Sequence, residues 1–324
     1  MYMQNIDIQK EYNMKRLILI LLGISVLLTS YSISSDAQDK DTERFARRYD
    51  LLVSKLGYDG IGIETLLDAW EAADSTDIRI YEARFRYYFT KSRRDSVVTR
   101  DSRRYLGTEP ILELKDSTGA RTYYYNEYFY NDSLFAISMK SIGKAIEMHP
   151  EKLDLKALRT DALCAYEKGS PDMALAGLKA LADSYYSKNS PWTYQGDTVN
   201  DSFFKDLIQQ YCALFYSTGT AESYAAFKAL SEKMLTYRKD DPTFLTNIGS
   251  YMLVAENNPK AAVKWYNKVL KVSPGDYAAI KNCIIAARKM KNTKLEKKYL
   301  PLLIEYGPEN EKKAAEARLE ALNS

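Results

Sequence analysis

The chain holds one histidine and three cysteines in 324 residues, and each scarcity closes off a class of chemistry. The lone imidazole, His149, cannot build a multi-histidine metal centre or a His-paired nucleophile with a second ring to spare. Standing directly before Pro150 at the end of a helical pattern, it reads as a C-terminal residue favoured by the helix dipole. Cys164, Cys212 and Cys283 are odd in number and widely spaced, which resembles no disulfide framework, with one disulfide plus a free thiol as the alternative in an oxidising compartment. Each lies inside an apolar helical pattern and reads as a small buried hydrophobe. No G-x-S-x-G elbow, phosphate-binding glycine loop or H-E-x-x-H occurs. Carboxylates such as Glu127 and Asp132 lie near each other, but without a predicted cleft they carry no acid–base role. A surplus of one charge is missing as well: 46 Lys plus Arg against 43 Asp plus Glu leave +3, too even for a nucleic-acid footprint. These absences predict a chain that is not an enzyme and takes neither cofactor nor metal.

Long apolar runs are also scarce. The pronounced one, Leu17 to Leu28, follows Lys15 and Arg16 and precedes Ser35-Asp36-Ala37. Charged, apolar and small-residue regions in that order predict a secretory signal peptide over residues 1–37, cleaved after Ala37, with Met14 as a possible start. The run falls short of the roughly 20 residues that cross a bilayer, so no permanent membrane span is expected. With no cysteine before Cys164, no lipoprotein anchor is expected either. The mature chain is expected to be periplasmic or secreted.

What the chain has in plenty is material for a core, 46% hydrophobic residues, and tyrosine, of which there are 27. Apolar spacing predicts helices over 42–55, 63–72, 77–90, 133–148, 202–216 and 221–237. Asn131-Asp132-Ser133 and Asn200-Asp201-Ser202, each soon followed by Phe, read as helix N-caps, and their recurrence suggests duplication. The basic run from Lys91 to Arg104 reads as a solvated, partly paired loop, with binding of an acidic surface or anionic glycan as the minority reading. Ile111 to Lys115 and Arg121 to Tyr125, flanking Asp116-Ser117-Thr118-Gly119, predict a β-hairpin inserted at about 95–131. In the tyrosine run that follows, alternation puts Tyr123, Tyr125 and Phe129 on one face and Tyr124, Tyr128 and Tyr130 on the other.

Pro274 and Pro308 stand 34 residues apart, and each closes a pair of short amphipathic helices. In the first pair, Leu245, Ile248, Gly249 and Met252 precede Ala262, Tyr266, Val269 and Pro274. The next pair carries Ile280, Cys283, Ile284 and Ala287, then Leu295, Tyr299, Leu302 and Leu303, with Glu296 where a small residue is expected. Leu155 to Tyr186 forms an upstream pair that turns at Gly169-Ser170-Pro171. This pattern resembles the tetratricopeptide repeat family.

The resemblance implies an all-α fold, an α–α superhelix of helical hairpins, here with the β-hairpin inserted near the N-terminal third. Degenerate repeats fill 38–152, repeats proper 153–308, and a capping helix 309–324. It also implies a groove that binds a protein or peptide, with Arg159, Tyr166, Thr246, Ser250, Lys281 and Arg288 among the residues facing it. The alternative is a glycan-binding accessory using Tyr124, Tyr128 and Tyr130 of the hairpin.

Overall fold

The computed structural model describes residues 38–187 and 191–323. The predicted leader, its cleavage after Ala37 and the start at Met14 lie outside these residues. No helix among the described residues is long and apolar enough to cross a membrane.

Helices dominate. In chain order they are α1 (Gln38–Leu56), α2 (Ile63–Ala73), α3 (Ile78–Ser92), α4 (Asp132–Met148), α5 (Leu153–Glu167), α6 (Asp172–Ser187), α7 (Asp201–Thr218), α8 (Ala221–Tyr237), α9 (Pro242–Val254), α10 (Pro259–Val272), α11 (Tyr277–Lys289), α12 (Thr293–Tyr306) and α13 (Glu309–Asn323). Helix α3 packs along α4, and α5 with α6, α7 with α8, α9 with α10 and α11 with α12 form successive antiparallel pairs. Each pair also touches the next, as α4 does α5 and α10 does α11. The fold is therefore the expected all-α array of helical hairpins, carrying a small amount of inserted β structure.

The helix starts are written in the side chains that precede them. A free N–H of the first turn is satisfied by Asn131, Asn200, Asn258 and Asn292, by Asp77, Asp241 and Asp276, and by Thr220 in a capping box with Ser223. Both Asn-Asp-Ser sites are caps as expected. Asn131, however, opens the second helix of its pair and Asn200 the first of another, so the recurrence marks shared capping chemistry, not equivalent positions of a duplicated unit.

Between Pro242 and Pro308 the pairs are held by close small-to-aromatic contacts. A Cβ on Gly249 would stand 2.4 Å from the ring of Tyr266, which is wholly buried, so glycine is what lets α9 approach α10. Glu296 occupies the matching small-residue position on α12 and is itself buried. Its carboxylate accepts from Arg288 Nε at 2.6 Å and from Arg318 Nε and Nη2, each at 3.0 Å. These hydrogen bonds, that from Arg318 first, hold the Glu296 carboxyl below its ordinary range against the opposing effect of burial. The departure from the repeat pattern is thus a salt-bridged clamp that ties α11, α12 and α13 together.

A second polar joint lies one pair earlier. Asn247 donates to Gln209 Oε1 at 2.7 Å and to Ser231 Oγ at 3.0 Å, joining α9 to α7 and α8. Cys212 lies 3.7 Å from the same hydroxyl. All three cysteines are free thiols, and burial pushes those of Cys212 and Cys283 up to about 12.

The inserted element holds one strand more than the expected hairpin. Strands β1 (Arg93–Arg100), β2 (Leu112–Lys115) and β3 (Arg121–Tyr130) form an antiparallel sheet in the order β1-β3-β2. The basic run is a loop only at its end, from Asp101 to Arg104: α3 continues through Ser92, and Ser96-Val97-Val98-Thr99 supplies a β-branched centre that pairs with β3 from Arg93↔Tyr130 to Arg100↔Tyr123, while Arg93, Arg100 and Arg103 are ion-paired as expected. The β2–β3 turn is built as its residues predict, with Asp116 Oδ1 accepting from the N–H groups of Thr118 and Ala120, and Gly119 at φ 92°. A ribbon of β4 (Thr193–Tyr194) and β5 (Asp197–Thr198), unforeseen in the sequence, turns at Gln195-Gly196 with φ 52° and 92°.

Candidate interaction site

Because β1 and β2 both run antiparallel to β3, they are parallel to each other, and the segment 101–111 must cross the sheet to join them. It crosses on the face that holds Tyr123, Tyr125 and Glu127. Tyr125 Oη donates to Ser102 O at 2.7 Å, and the Tyr105 ring lies 5.4 Å from that of Tyr125. Gly107, at φ 73°, sits so close to the α7 end that a Cβ there would stand 2.1 Å from Ser217 O. Only glycine meets both demands.

Glu127 is the hub of this face. It is 7% exposed, unusually low for a carboxylate in a surface sheet, and it accepts from Arg100 Nη2 at 3.2 Å, from Tyr105 Oη and from Lys168 Nζ. Lys168 ends α5 with φ 55°, and its ammonium also lies 4.1 Å from the Phe129 ring centroid. A carboxylate with three donors is well satisfied. The sheet is thereby fastened to the end of α5, and through Gly107 it is seated on the last turn of α7. Nothing in the local sequence distinguishes Glu127 from other acids; the one hint is its alternation with Tyr123 and Tyr125.

The opposite face has the reverse character. Val97 is 57% exposed, Leu112 and Leu114 are each 48% exposed, and Tyr128 is 43% exposed. The register sets Val97 beside Asn126, Asp95 beside Tyr128, and Leu112 and Thr99 on either side of Tyr124, so these residues share one surface. Arg93 stacks on Tyr128 at 4.5 Å, and Asp95, Ser96, Val97, Asn126 and Tyr128 line a shallow depression.

Of the hairpin tyrosines singled out from sequence, Tyr124 and Tyr128 lie on this face. Tyr130 does not present a ring to solvent in the same way. It is half-buried among Phe89, Phe135 and Tyr166, with the Phe89 ring 5.5 Å away, and burial pushes its hydroxyl up to about 12.

The groove positions fall on three separate helices. Tyr166 on α5 stacks on Phe135 at 4.0 Å and donates to Asp132 at 2.8 Å, whereas Arg159 on the same helix is exposed. On α9, Thr246 is half-buried and Ser250 Oγ lies 3.3 Å from Tyr266 Oη. On α11, Lys281 donates to Glu311 at 2.6 Å and to Tyr277 at 2.9 Å, and Arg288 is held by Glu296. A groove partner that recruits Lys281 has to compete with the Glu311 carboxylate, whereas Arg288 bonds Glu296 through Nε and its side chain is about half exposed.

No protein-family model matches the chain, and no curated protein matches it. Among solved structures it is similar to PilW, a widely conserved type IV pilus biogenesis factor. That likeness covers 90% of this chain and all of the other, at 10% identity and a TM-score of 0.34. A similarity of that size carries no argument about either chain's role.

Proposed function

We propose that the protein is a non-enzymatic scaffold of the tetratricopeptide type that holds a protein or peptide partner outside the cytoplasm, with the outer face of the inserted sheet as its docking surface. The observation that supports this reading is the gathering of Val97, Leu112, Leu114 and Tyr128, all well exposed, on one surface whose opposite side is fastened by Glu127. Exposed apolar side chains scattered singly need no explanation, but a contiguous group on a rigid support marks an interaction site. Of the two α11 cations of the groove, Lys281 is half-buried and both carry internal ion pairs, so they offer a partner less than unpaired exposed residues do.

The test is capture of partners from the native envelope by the chain from Gln38 onward, compared with a Leu112→Ser, Tyr128→Ser variant. Loss of capture at unchanged melting temperature supports the sheet; losing one such anchor typically costs about 1 kcal/mol or more, and several together more. Loss on Lys281→Glu with Arg288→Glu, and none with the sheet variant, places the partner in the groove. Binding of the chain to a glycan array, abolished by the sheet variant, replaces the protein partner with a carbohydrate.

A further inference from the structure

The even overall charge hides a lopsided one. Between Asn257 and Lys298 ten lysines and one arginine meet only two acids, while the rest of the chain is acidic on balance. Both acids are engaged: Asp276 caps α11, and Glu296 is the clamp between α11, α12 and α13. The arginine, Arg288, bonds that same clamp. The surplus of this stretch is therefore lysine.

Six of the lysines gather on one surface. On α10, Lys260, Lys264, Lys268 and Lys271 follow one another at intervals of four, four and three, which is one side of a helix, and all four are exposed. The row is about 16 Å long. The buried residues Ala262, Tyr266 and Val269 lie on the opposite side of α10, which contains no acid at all. On α12, Lys294 and Lys298 are likewise exposed and one turn apart, facing away from the buried Tyr299 and Leu303. Helices α10 and α12 are the second helices of adjacent pairs, and Tyr299 donates to Asn267 Oδ1 at 2.7 Å between them, so the two rows stand side by side. None of the six is ion-paired among the described residues.

That these cations are lysines selects among anionic partners. A guanidinium fork suits the fixed geometry of a protein carboxylate or a nucleic-acid phosphate, whereas an ammonium is a point charge on a flexible stem. Lysine is also depleted where proteins bind proteins. Unpaired point charges spread over an outward face match a layer of mobile anionic headgroups. Trp265, half-buried, stands beside the row with the Lys268 ammonium 3.6 Å from its ring centroid, and Val272 on the same side of the helix is 51% exposed. Lysines bordered by tryptophan and an aliphatic side chain are the composition of a helix lying in a membrane interface.

We infer that the outer face of α10 and α12 is a contact surface for an anionic lipid bilayer, with the lysine ammonium groups against the headgroup phosphates and Trp265 in the interface. The contact sets where the scaffold sits, independently of what its inserted sheet holds.

The experiment mixes the chain from Gln38 onward with vesicles of phosphatidylcholine, with and without phosphatidylglycerol, at ~0.15 M salt. Expected are co-sedimentation with the phosphatidylglycerol vesicles alone, weakened by raised salt, and a blue shift of tryptophan emission on binding. Trp70 and Trp192 are buried, so that shift reports Trp265. Lys264→Ala with Lys268→Ala should lower the partition coefficient by about tenfold or more at unchanged melting temperature. Lys55→Ala with Lys140→Ala removes the same charge elsewhere and should change it little. Equal loss in that control, binding without any shift in emission, or no binding to the phosphatidylglycerol vesicles overturns the inference. So does binding of a DNA duplex or of polyglutamate that is tighter than that of the vesicles and is lost in the α10 variant, because the lysines then serve nucleic acid or an acidic protein. Self-association of the chain that the α10 variant abolishes overturns it as well. Envelope capture lost in Leu112→Ser, Tyr128→Ser with vesicle binding intact leaves the two surfaces separate.

Discussion

Between Pro242 and Pro308 the helices of each pair are joined by short turns and touch through Gly249 against Tyr266, or through the Glu296 clamp; between Ile78 and Met148 the two helices are joined by a three-stranded sheet. In the C-terminal pairs the close contacts fall inside the hairpin or reach the adjacent helices, as Glu296 reaches Arg318. In the N-terminal pair the ends of the insertion stay together because Asn131 N donates to Ser92 O at 2.8 Å, while its middle is held by residues distant in sequence, Lys168 and Ser217. The C-terminal region spends its unusual residues on holding neighbouring helices, and the insertion spends its own on holding one face of a sheet so that the other stays available.

The comparison can be broken most severely at Gly249. Valine there would drive its side chain into the Tyr266 ring, and we expect a loss of at least about 2 to 3 kcal/mol in urea unfolding. Because each repeat leans only on its neighbours, hydrogen exchange of 93–130 should be unaltered. If the sheet loosens as well, the two regions are one cooperative unit and the contrast falls.

Removing the hub of the sheet is the converse test. Glu127→Ala leaves Lys168 and Arg100 without their acid, and a loss of about 1 to 3 kcal/mol is expected, discounted for the partial exposure of both cations. It should appear as faster exchange in β1 to β3 with no change in α9 to α13.

Acid probes both ends of the array more gently. The Tyr88 and Tyr87 hydroxyls, with Lys91, hold the Glu64 carboxyl at about 2 instead of its usual 4.5. A depressed carboxyl stabilises the fold fully above its unfolded value, so this contribution is complete above pH 4.5 and fades as pH falls toward about 2. Glu296 is depressed in the same direction by Arg318 and Arg288, so its contribution is likewise lost on acidification. Melting temperature against pH should therefore fall less steeply in Glu64→Gln and in Glu296→Gln than in the parent. Since Glu64 is partly exposed, its effect should be the smaller of the two.

The smallest stability effect is expected where the largest functional one is. Leu112→Ser with Tyr128→Ser should move stability by no more than about 0.5 kcal/mol per site, because both side chains already face water.

Much of this architecture is legible in the chain because its determinants are local. Capping residues such as Asn200 and Asp276 announce helix starts within three residues, and the repeat spacing announces the pairs. What escapes is whatever depends on distant partners. Arg93 to Arg100 looks like a charged loop until β3 is placed beside it, and Glu127 looks like any surface acid until Lys168 is seen to reach it. Lys281 and Arg288 read as groove cations from position alone, since Glu311 and the folded position of Glu296 lie outside a single-helix pattern. Tyr124 and Tyr128 were separable from Tyr123 and Tyr125 by alternation, but which face would be covered was not.

The seat of Gly107 against Ser217 also sets an order of events in time. A nascent chain completes the sheet at Tyr130, about ninety residues before the α7 end that covers its crossing segment exists, and Lys168 arrives only partway through that interval. Until then the inner face of the sheet is bare as well as the outer, so the interval in which this chain is most vulnerable to wrong pairing is set by the distance along the sequence from 130 to 217, whatever the final stability of the folded molecule.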